Sequence, residues 1–268
     1  MQASPFITLT SDFGLDDPFV GVMKGVILNI NPQANIIDLT HGIASHDIRE
    51  AAFTIGMNYG FFPERTIHVV IVDPGVGSRR RHILVATDRY CFLGPDNGVF
   101  TYIYEKEKPA MTVLNITADQ YFLRKDSSTF QGRDVFAPVA AWLALGTDFR
   151  AFGDPITDYV IQDRQKPQSF RDGLNGEIIH IDKFGNAITN ISREDINNLT
   201  RSRKNHSLKV FLGEKAIPLK GCYAEGKGRN LYAIINSSEH LEFFVNLSRA
   251  AGTCNISIGD KVELRLVR

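Results

Sequence analysis

The pattern of apolar and polar positions changes character partway along the chain. Positions 6–10, Phe-Ile-Thr-Leu-Thr, predict a short first strand that runs into Ser11-Asp12-Phe13-Gly14. Val20, Met23, Val26, Ile27 and Ile30 recur at helical spacing and predict a helix over 19–30, stopped by Asn31-Pro32. A second strand over 34–39 follows, then Thr40-His41-Gly42, then a helix over 48–59 with Asp47 placed to cap it. The run 66–72, Thr-Ile-His-Val-Val-Ile-Val, reads as a strand buried on both faces. Strand and helix alternating at these spacings predict a parallel sheet with right-handed crossovers. A hairpin over 82–87 and 90–93, a helix opening over 99–104 and an apolar helix running to Leu145 complete this part.

Residues 162–172 carry three glutamines, a proline and five charges with little apolar content. That composition suits a linker, placed over 164–173 between an α/β domain (1–163) and a second domain (174–268). Beyond it the pattern is one of short strands (176–182, 187–191, 207–212, 231–235, 241–245, 261–267) between Gly, Asn and Ser turns, which predicts a small all-β barrel. The fold expected is an α/β N-terminal domain with a mainly parallel central sheet, followed by a small all-β barrel.

Composition narrows the function classes. Of 268 residues, 43% are hydrophobic and 22% charged, ordinary for a globular protein with a full core. Lys+Arg and Asp+Glu both number 30, so net charge argues for neither a nucleic-acid nor a membrane partner. Cys91, Cys222 and Cys254 are far apart and without Cys-x-x-Cys spacing, as in buried thiols of a reducing compartment, and no metal site is expected. No secretory leader and no apolar run near the ~20 residues of a membrane helix are visible, so a cytoplasmic location is expected.

The densest chemistry follows the central strand. Asp73 stands at its C-terminal end, where open α/β sheets bind ligands, and Pro74, Gly75 and Gly77 bend the chain before Arg79, Arg80 and Arg81. An acid, a bare loop and a guanidinium could hold and polarise a small molecule. Asp-Pro-Gly is equally ordinary turn chemistry, and three arginines can be a solvated face. The stretch lacks the spacing of nucleotide-phosphate loops. Arg133-Asp134, where a helix begins, reads more simply as a capping acid with a surface ion pair.

Six stretches in order carry a resemblance. They are Thr10-Ser11-Asp12-Phe13-Gly14, Val72-Asp73-Pro74-Gly75-Val76-Gly77, Gly94-Pro95-Asp96-Asn97-Gly98, Thr129-Phe130-Gln131-Gly132-Arg133-Asp134, Ile181-Asp182-Lys183-Phe184-Gly185-Asn186 and Ile235-Asn236-Ser237. The chain resembles the S-adenosyl-L-methionine (SAM) hydroxide adenosyltransferases, relatives of the SAM-dependent fluorinase and chlorinase, over nearly its whole length. The resemblance implies hydrolysis of SAM at ribose C5′ to adenosine and L-methionine, with SAM as substrate and no cofactor. It implies a homotrimer whose sites lie between one subunit's N-terminal domain and a neighbour's C-terminal domain. Asp12 then holds the ribose hydroxyls and His46 lies beside the ribose. Asp182 faces the methionine ammonium, Asn186 reads the adenine edge, Phe184 and Tyr223 flank the base, and Ser237 takes the methionine carboxylate. On local grounds Tyr223 is as readily a core residue, and His46 a capping or surface one.

The water-activating set implied is Asp73, Arg80 (with Arg79 its neighbour in sequence) and a histidine at position 131. This chain has Gln131 there. An amide orients water but takes no proton near neutral pH, so proton acceptance falls to Asp73, and a missing general base typically costs ~10²–10⁴-fold. The alternative is a SAM- or adenosine-binding protein with weak or no catalysis. His41, His46 and His82 are the histidines nearest in sequence, and none can be placed as a substitute. Halide chemistry is disfavoured because Asp73 would repel a halide in a dry pocket.

Overall fold

The computed structural model describes residues 5–123, 128–201 and 206–267. Residues 1–4, read above for a leader, lie outside these. The chain forms two compact units, Met1–Asp163 and Arg164–Arg268. Among the described residues no helix is long and apolar enough to cross a membrane.

In the first unit β1 (Phe6–Ser11), β2 (Asn35–Thr40), β3 (Ile67–Ile71), β4 (His82–Thr87), β5 (Cys91–Pro95), β6 (Met111–Ile116) and β7 (Gly153–Pro155) form one sheet, ordered β2-β1-β3-β5-β4-β6-β7. The pairs β2/β1, β1/β3 and β3/β5 are parallel, whereas β5/β4, β4/β6 and β6/β7 are antiparallel. The sheet is therefore mixed, which corrects the expectation of a mainly parallel one. The reason lies in the connections. Parallel neighbours need a crossover long enough for a helix, and α1 (Phe19–Ile30) and α2 (Ile48–Asn58) supply it only in the first half. The β4–β5 link is a tight turn closed by the Thr87 N–H donating to the Tyr90 carbonyl at 2.9 Å. Strands β6 and β7, absent from the sequence-based expectation, then add two more antiparallel neighbours.

Strand β3 explains its own composition. Val69 and Ile71 pack with Met23, Ile27 and Phe136 on the face covered by α1 and α4 (Ala137–Ala144). Val70 and Val72 pack with Ile55, Phe100 and Ile103 on the face covered by α2 and α3 (Thr101–Glu107). A strand buried on both faces has no polar side to show. Because β1 and β3 are parallel neighbours with Ser11 opposite Ile71, the chain leaves both at one edge of the sheet. Asp12 and Asp73 emerge there together.

The segment before α4 departs from a regular helix. Gly132–Phe136 forms a π-helical turn. Pro138 has no N–H for the Asp134 carbonyl four residues back, and the Leu123 N–H donates to that carbonyl instead, at 2.9 Å. Arg133 and Asp134 form the expected ion pair, Nε to Oδ1 at 2.6 Å, but Asp134 is buried and makes no capping bond.

The second unit is an antiparallel, nearly closed sheet. Strands β8 (Gln168–Phe170), β9 (Gly173–Ile181), β10 (Ala187–Ser192), β11 (Ser207–Leu212), β12 (Lys215–Ile217), β13 (Leu231–Ile235), β14 (His240–Val245) and β15 (Lys261–Val267) are ordered β12-β11-β15-β9-β10-β14-β13, with β8 on β9. A bridge from Leu219 to Ala233 brings the two ends towards each other. Strand β8 lies within the stretch expected as linker. Leu174, Ile178, Ala187, Val210, Leu241, Phe243 and Leu264 fill the interior. Two short helices, α5 (Arg193–Thr200), with a Ser192/Asp195 capping box, and α6 (Ala250–Cys254), complete the unit.

Candidate functional site

The first unit carries a cavity of about 600 Å³ at the strand ends. Asp12, His46, Asp73 and Gln131 line it together with Phe13, Asp17, Phe19, Ser45, Ile71, Val76, Thr129, Phe130 and Gly132. Phe13, Phe19 and Phe130 form its apolar wall, with ring centroids 5.3–5.8 Å apart. His46 takes a left-handed conformation (φ 68°), and its N–H donates to Asp12 Oδ2 at 2.8 Å. One carboxylate thus fixes the β2–α2 loop while keeping lone pairs for a ligand.

The loop after β3 is built to aim one arginine. Gly77, at φ 79°, supplies the left-handed turn. The Val76 N–H returns to the Asp73 carbonyl and the Ser78 N–H to Gly75. The Asn97 amide donates to the Val72 carbonyl at 2.9 Å and ties down the strand end. Arg81 is drawn away by Asp96 and Asp158, at 2.7 and 2.6 Å. Arg79 is exposed. Arg80 alone turns inward: Nε donates to Asp73 Oδ1 at 2.7 Å, and Nη2 to Asp73 Oδ2 and Gln131 Oε1. Both side chains of the Arg80–Asp73 pair are nearly buried. So Asp73, Arg80 and Gln131, far apart in sequence, form one cluster, and Arg80 rather than Arg79 is its cation.

A fourth side chain joins them. His82 Nε2 lies 2.6 Å from Gln131 Oε1. Burial pushes the His82 ring below its ordinary value; the Gln131 bond opposes that shift, the Arg80 charge adds to it, and Asp73 opposes it. The strand alternation of β4 held the signal. Leu84 and Ala86 face α4 and Ile83 and Val85 face away, so His82 falls on the side where Gln131 enters α4.

The second unit carries a larger cavity, about 830 Å³, within the usual range for small-molecule sites. Asp182, Phe184, Asn186, Tyr223 and Ser237 all line it. The turn 182–186 is held by the Gly185 N–H on the Asp182 carbonyl (2.9 Å) and the Asn186 N–H on Asp182 Oδ1 (2.8 Å). Gly185, at φ 84°, is required there, because a Cβ would meet Arg249 Cβ at 2.7 Å. Asn186 Nδ2 donates to Asp182 Oδ2 at 3.2 Å, so the two polar residues orient one another. Phe184 is 75% exposed and Leu247, on the same rim, 100%.

Glu242, only 2% exposed, sits in the wall of this cavity. Tyr223 Oη donates to its Oε1 at 2.8 Å and Asn236 Nδ2 to its Oε2 at 2.9 Å. Burial raises its pKa above the ordinary carboxylate value against those two bonds, and the Asp182 charge adds to the rise. Burial and the Glu242 bond likewise raise Tyr223. Tyr223 also packs edge-on against Phe244, centroids 4.9 Å apart. It is therefore both a packed residue and a wall of the cavity. A carboxylate between Leu241 and Phe243, both core, was the sequence signal for Glu242.

A mixed α/β unit with an acid–guanidinium–amide cluster at its strand ends, followed by an antiparallel barrel-like unit with a polar and aromatic cavity, defines a two-domain class of protein with a candidate small-molecule site in each unit. The profile of the SAM hydroxide adenosyltransferase N-terminal domain matches residues 7–153, and that of the C-terminal domain residues 176–263. The chain belongs to the SAM hydroxide adenosyltransferase family. It is 34% identical over 269 residues to the (R)-S-adenosyl-L-methionine hydrolase of Methanocaldococcus jannaschii, covering 96% of this chain and 95% of that one. A fluorinase of Nocardia brasiliensis is similar at 25% identity, over 98% of this chain and 97% of its own. In structure the chain is similar to an uncharacterized conserved protein from Thermotoga maritima, with TM-score 0.88 and 32% identity over 97% of this chain and all of that one.

Proposed function

We propose that this protein hydrolyses S-adenosyl-L-methionine at ribose C5′, giving adenosine and L-methionine. The observation that carries the proposal is the Asp73–Arg80–Gln131 cluster on a cavity wall, in a chain of this family. A water oxygen forms the new bond to C5′ as the C5′–S bond breaks, and the electron pair leaves with sulfur. The sulfonium becomes a neutral thioether and needs no acid. The water proton passes to Asp73. Arg80 keeps that carboxylate in place, and Gln131 orients the water. Most of the acceleration is then alignment of water, C5′ and sulfur.

Asp12 holds the ribose hydroxyls, with His46 beside them. Asp182 meets the methionine ammonium in a charge-assisted bond, Asn186 the adenine edge, Ser237 the carboxylate, and Phe184 and Tyr223 the faces of the base. The rim formed by Phe184 and Leu247, exposed in the single chain, supports a homotrimer in which a neighbouring subunit completes each site. No cofactor is required for this chemistry. Cys91, Cys222 and Cys254 are free thiols, which suits a cytoplasmic enzyme, although Cys222 is exposed rather than buried as expected.

Gln131 favours a second reading, a SAM- or adenosine-binding protein with little catalysis. Incubation with SAM in ¹⁸O-water separates the two. Hydrolysis puts one ¹⁸O in the adenosine 5′-hydroxyl, and Asp73→Asn lowers the rate by ~10²–10⁴-fold. SAM binding without turnover supports the second reading, and absence of both SAM and adenosine binding ends both.

A further inference from the structure

We infer that His82 is a positioning residue of this site: with Arg80 it pins the carbonyl end of Gln131, so that Gln131 offers its NH₂ group to the nucleophile. The inference rests on the hydrolase reading above for its kinetic consequence, but its geometry stands apart from it.

Arg80 fixes the orientation of Gln131. A guanidinium has only donors. The Gln131 atom facing Arg80 Nη2 must therefore be the carbonyl oxygen. The same oxygen lies 2.6 Å from His82 Nε2, so His82 must also donate, and its ring proton sits on Nε2. Two donors fill the two lone pairs of Oε1. Rotating the amide end for end would set its NH₂ against the guanidinium, a donor–donor contact that Arg80 cannot relieve, and would keep a bond to His82 only if the imidazole proton moved to Nδ1. The two ends of an amide have almost the same shape, so packing alone does not choose between them. Arg80 makes the choice, and His82 as the Nε2–H tautomer adds the second bond that holds it. The Phe136 ring, 5.3 Å from the imidazole centroid and at 69° to it, holds the His82 plane.

The consequence is a division of labour on the cavity wall. Asp73 accepts and Gln131 donates. A water between them gives one proton to Asp73 and takes an N–H from Gln131 on one lone pair. Its other lone pair is left to meet C5′. Gln131 therefore does not imitate a base. It orients the water that Asp73 deprotonates, and it does so only while its polarity is fixed.

The test uses the full chain with His82→Leu, His82→Gln, Gln131→Met and the double variant His82→Leu/Gln131→Met. His82→Leu is expected to lower kcat by up to about 100-fold, the scale of a misplaced reacting group, with KM for SAM unchanged. His82→Gln restores most of the rate, because its amide nitrogen takes the place of Nε2. The double variant is no slower than Gln131→Met alone. A His82→Leu loss of the same size in the Gln131→Met background overturns the inference, as does a folded His82→Gln as slow as His82→Leu. Long-range ¹H–¹⁵N spectra of the wild type give a readout without turnover. They should show a proton on His82 Nε2, perturbed in Gln131→Met, whereas an Nδ1–H tautomer with Nε2 unprotonated overturns the inference. A wild type that does not turn over SAM sinks the hydrolase reading alone, and the tautomer still decides the bond.

Discussion

Replacing Arg80 by lysine isolates what the guanidinium fork contributes beyond its charge. Arg80 makes two bonds to Asp73, one to Gln131 and a longer one, 3.3 Å, to the Arg81 carbonyl. Lysine keeps the positive charge, and its single nitrogen keeps one bond to the carboxylate. It cannot also span to Gln131. The second carboxylate bond and the Gln131 bond are lost at a nearly buried site. Bonds to charged groups contribute ~1.5–3 kcal/mol each, and partial rehydration leaves a net loss of about 2–3 kcal/mol. At ~2–4 °C per kcal/mol, Tm of the first unit should fall by roughly 4–12 °C. The part of the same loss felt in the transition state, ~1.4–2.7 kcal/mol, lowers kcat by about 10–100-fold. KM should hold, because the cluster addresses water rather than the adenosyl group. Arg80→Met is the control. It strands a nearly buried carboxylate, a defect of ~3–5 kcal/mol, and should be slower still. The assay is adenosine release by chromatography at saturating SAM, beside thermal unfolding by circular dichroism. A wild-type kcat in Arg80→Lys, with the Tm drop present, would show that the fork serves folding alone and refute the reasoning.

Three further outcomes are expected. Gln131→His should slow the enzyme rather than speed it, since one ring nitrogen cannot accept from both Arg80 and His82, and adding His82→Ala should recover rate; steady-state kinetics of the pair decides. Phe184→Ala should weaken adenosine binding by the ~1–3 kcal/mol of one stacked face, measured by isothermal titration calorimetry, and an unchanged Kd would remove Phe184 from the base site. Glu242 has a folded pKa above its ordinary 4.5, so its contribution to stability is fully present below 4.5 and lost as pH rises through the raised value. Glu242→Gln should therefore gain Tm relative to wild type at neutral pH and lose that advantage as pH falls towards 4.5, in paired melting curves.

What could be read from the sequence followed a physical rule. Elements were legible where burial imposes a period: α1, with Val20, Met23 and Ile27 buried, and β3, apolar on both faces. Strand direction was not, because period-2 alternation is the same in a parallel and an antiparallel neighbour. The connections decide it, and the short β4–β5 turn already pointed away from a wholly parallel sheet. Edge strands such as β7 and β12, three residues each, are too short to show any period. The site divided the same way. Asp73, Arg80 and Gln131 were singled out by motif and the structure brings them together, yet the motif showed only that this chain has Gln131 where the resemblance implies a histidine. It is blind to compensation, because a substitute need not arise at the same position. His82 lies 49 residues away in sequence and opens a strand whose neighbours are plain core. Only the register of β4 against the entry to α4 brings its ring to Gln131. A site that departs from its family's pattern is therefore better judged from the atoms around the departure than from the departing residue, and here those atoms supply two donors to one carbonyl oxygen.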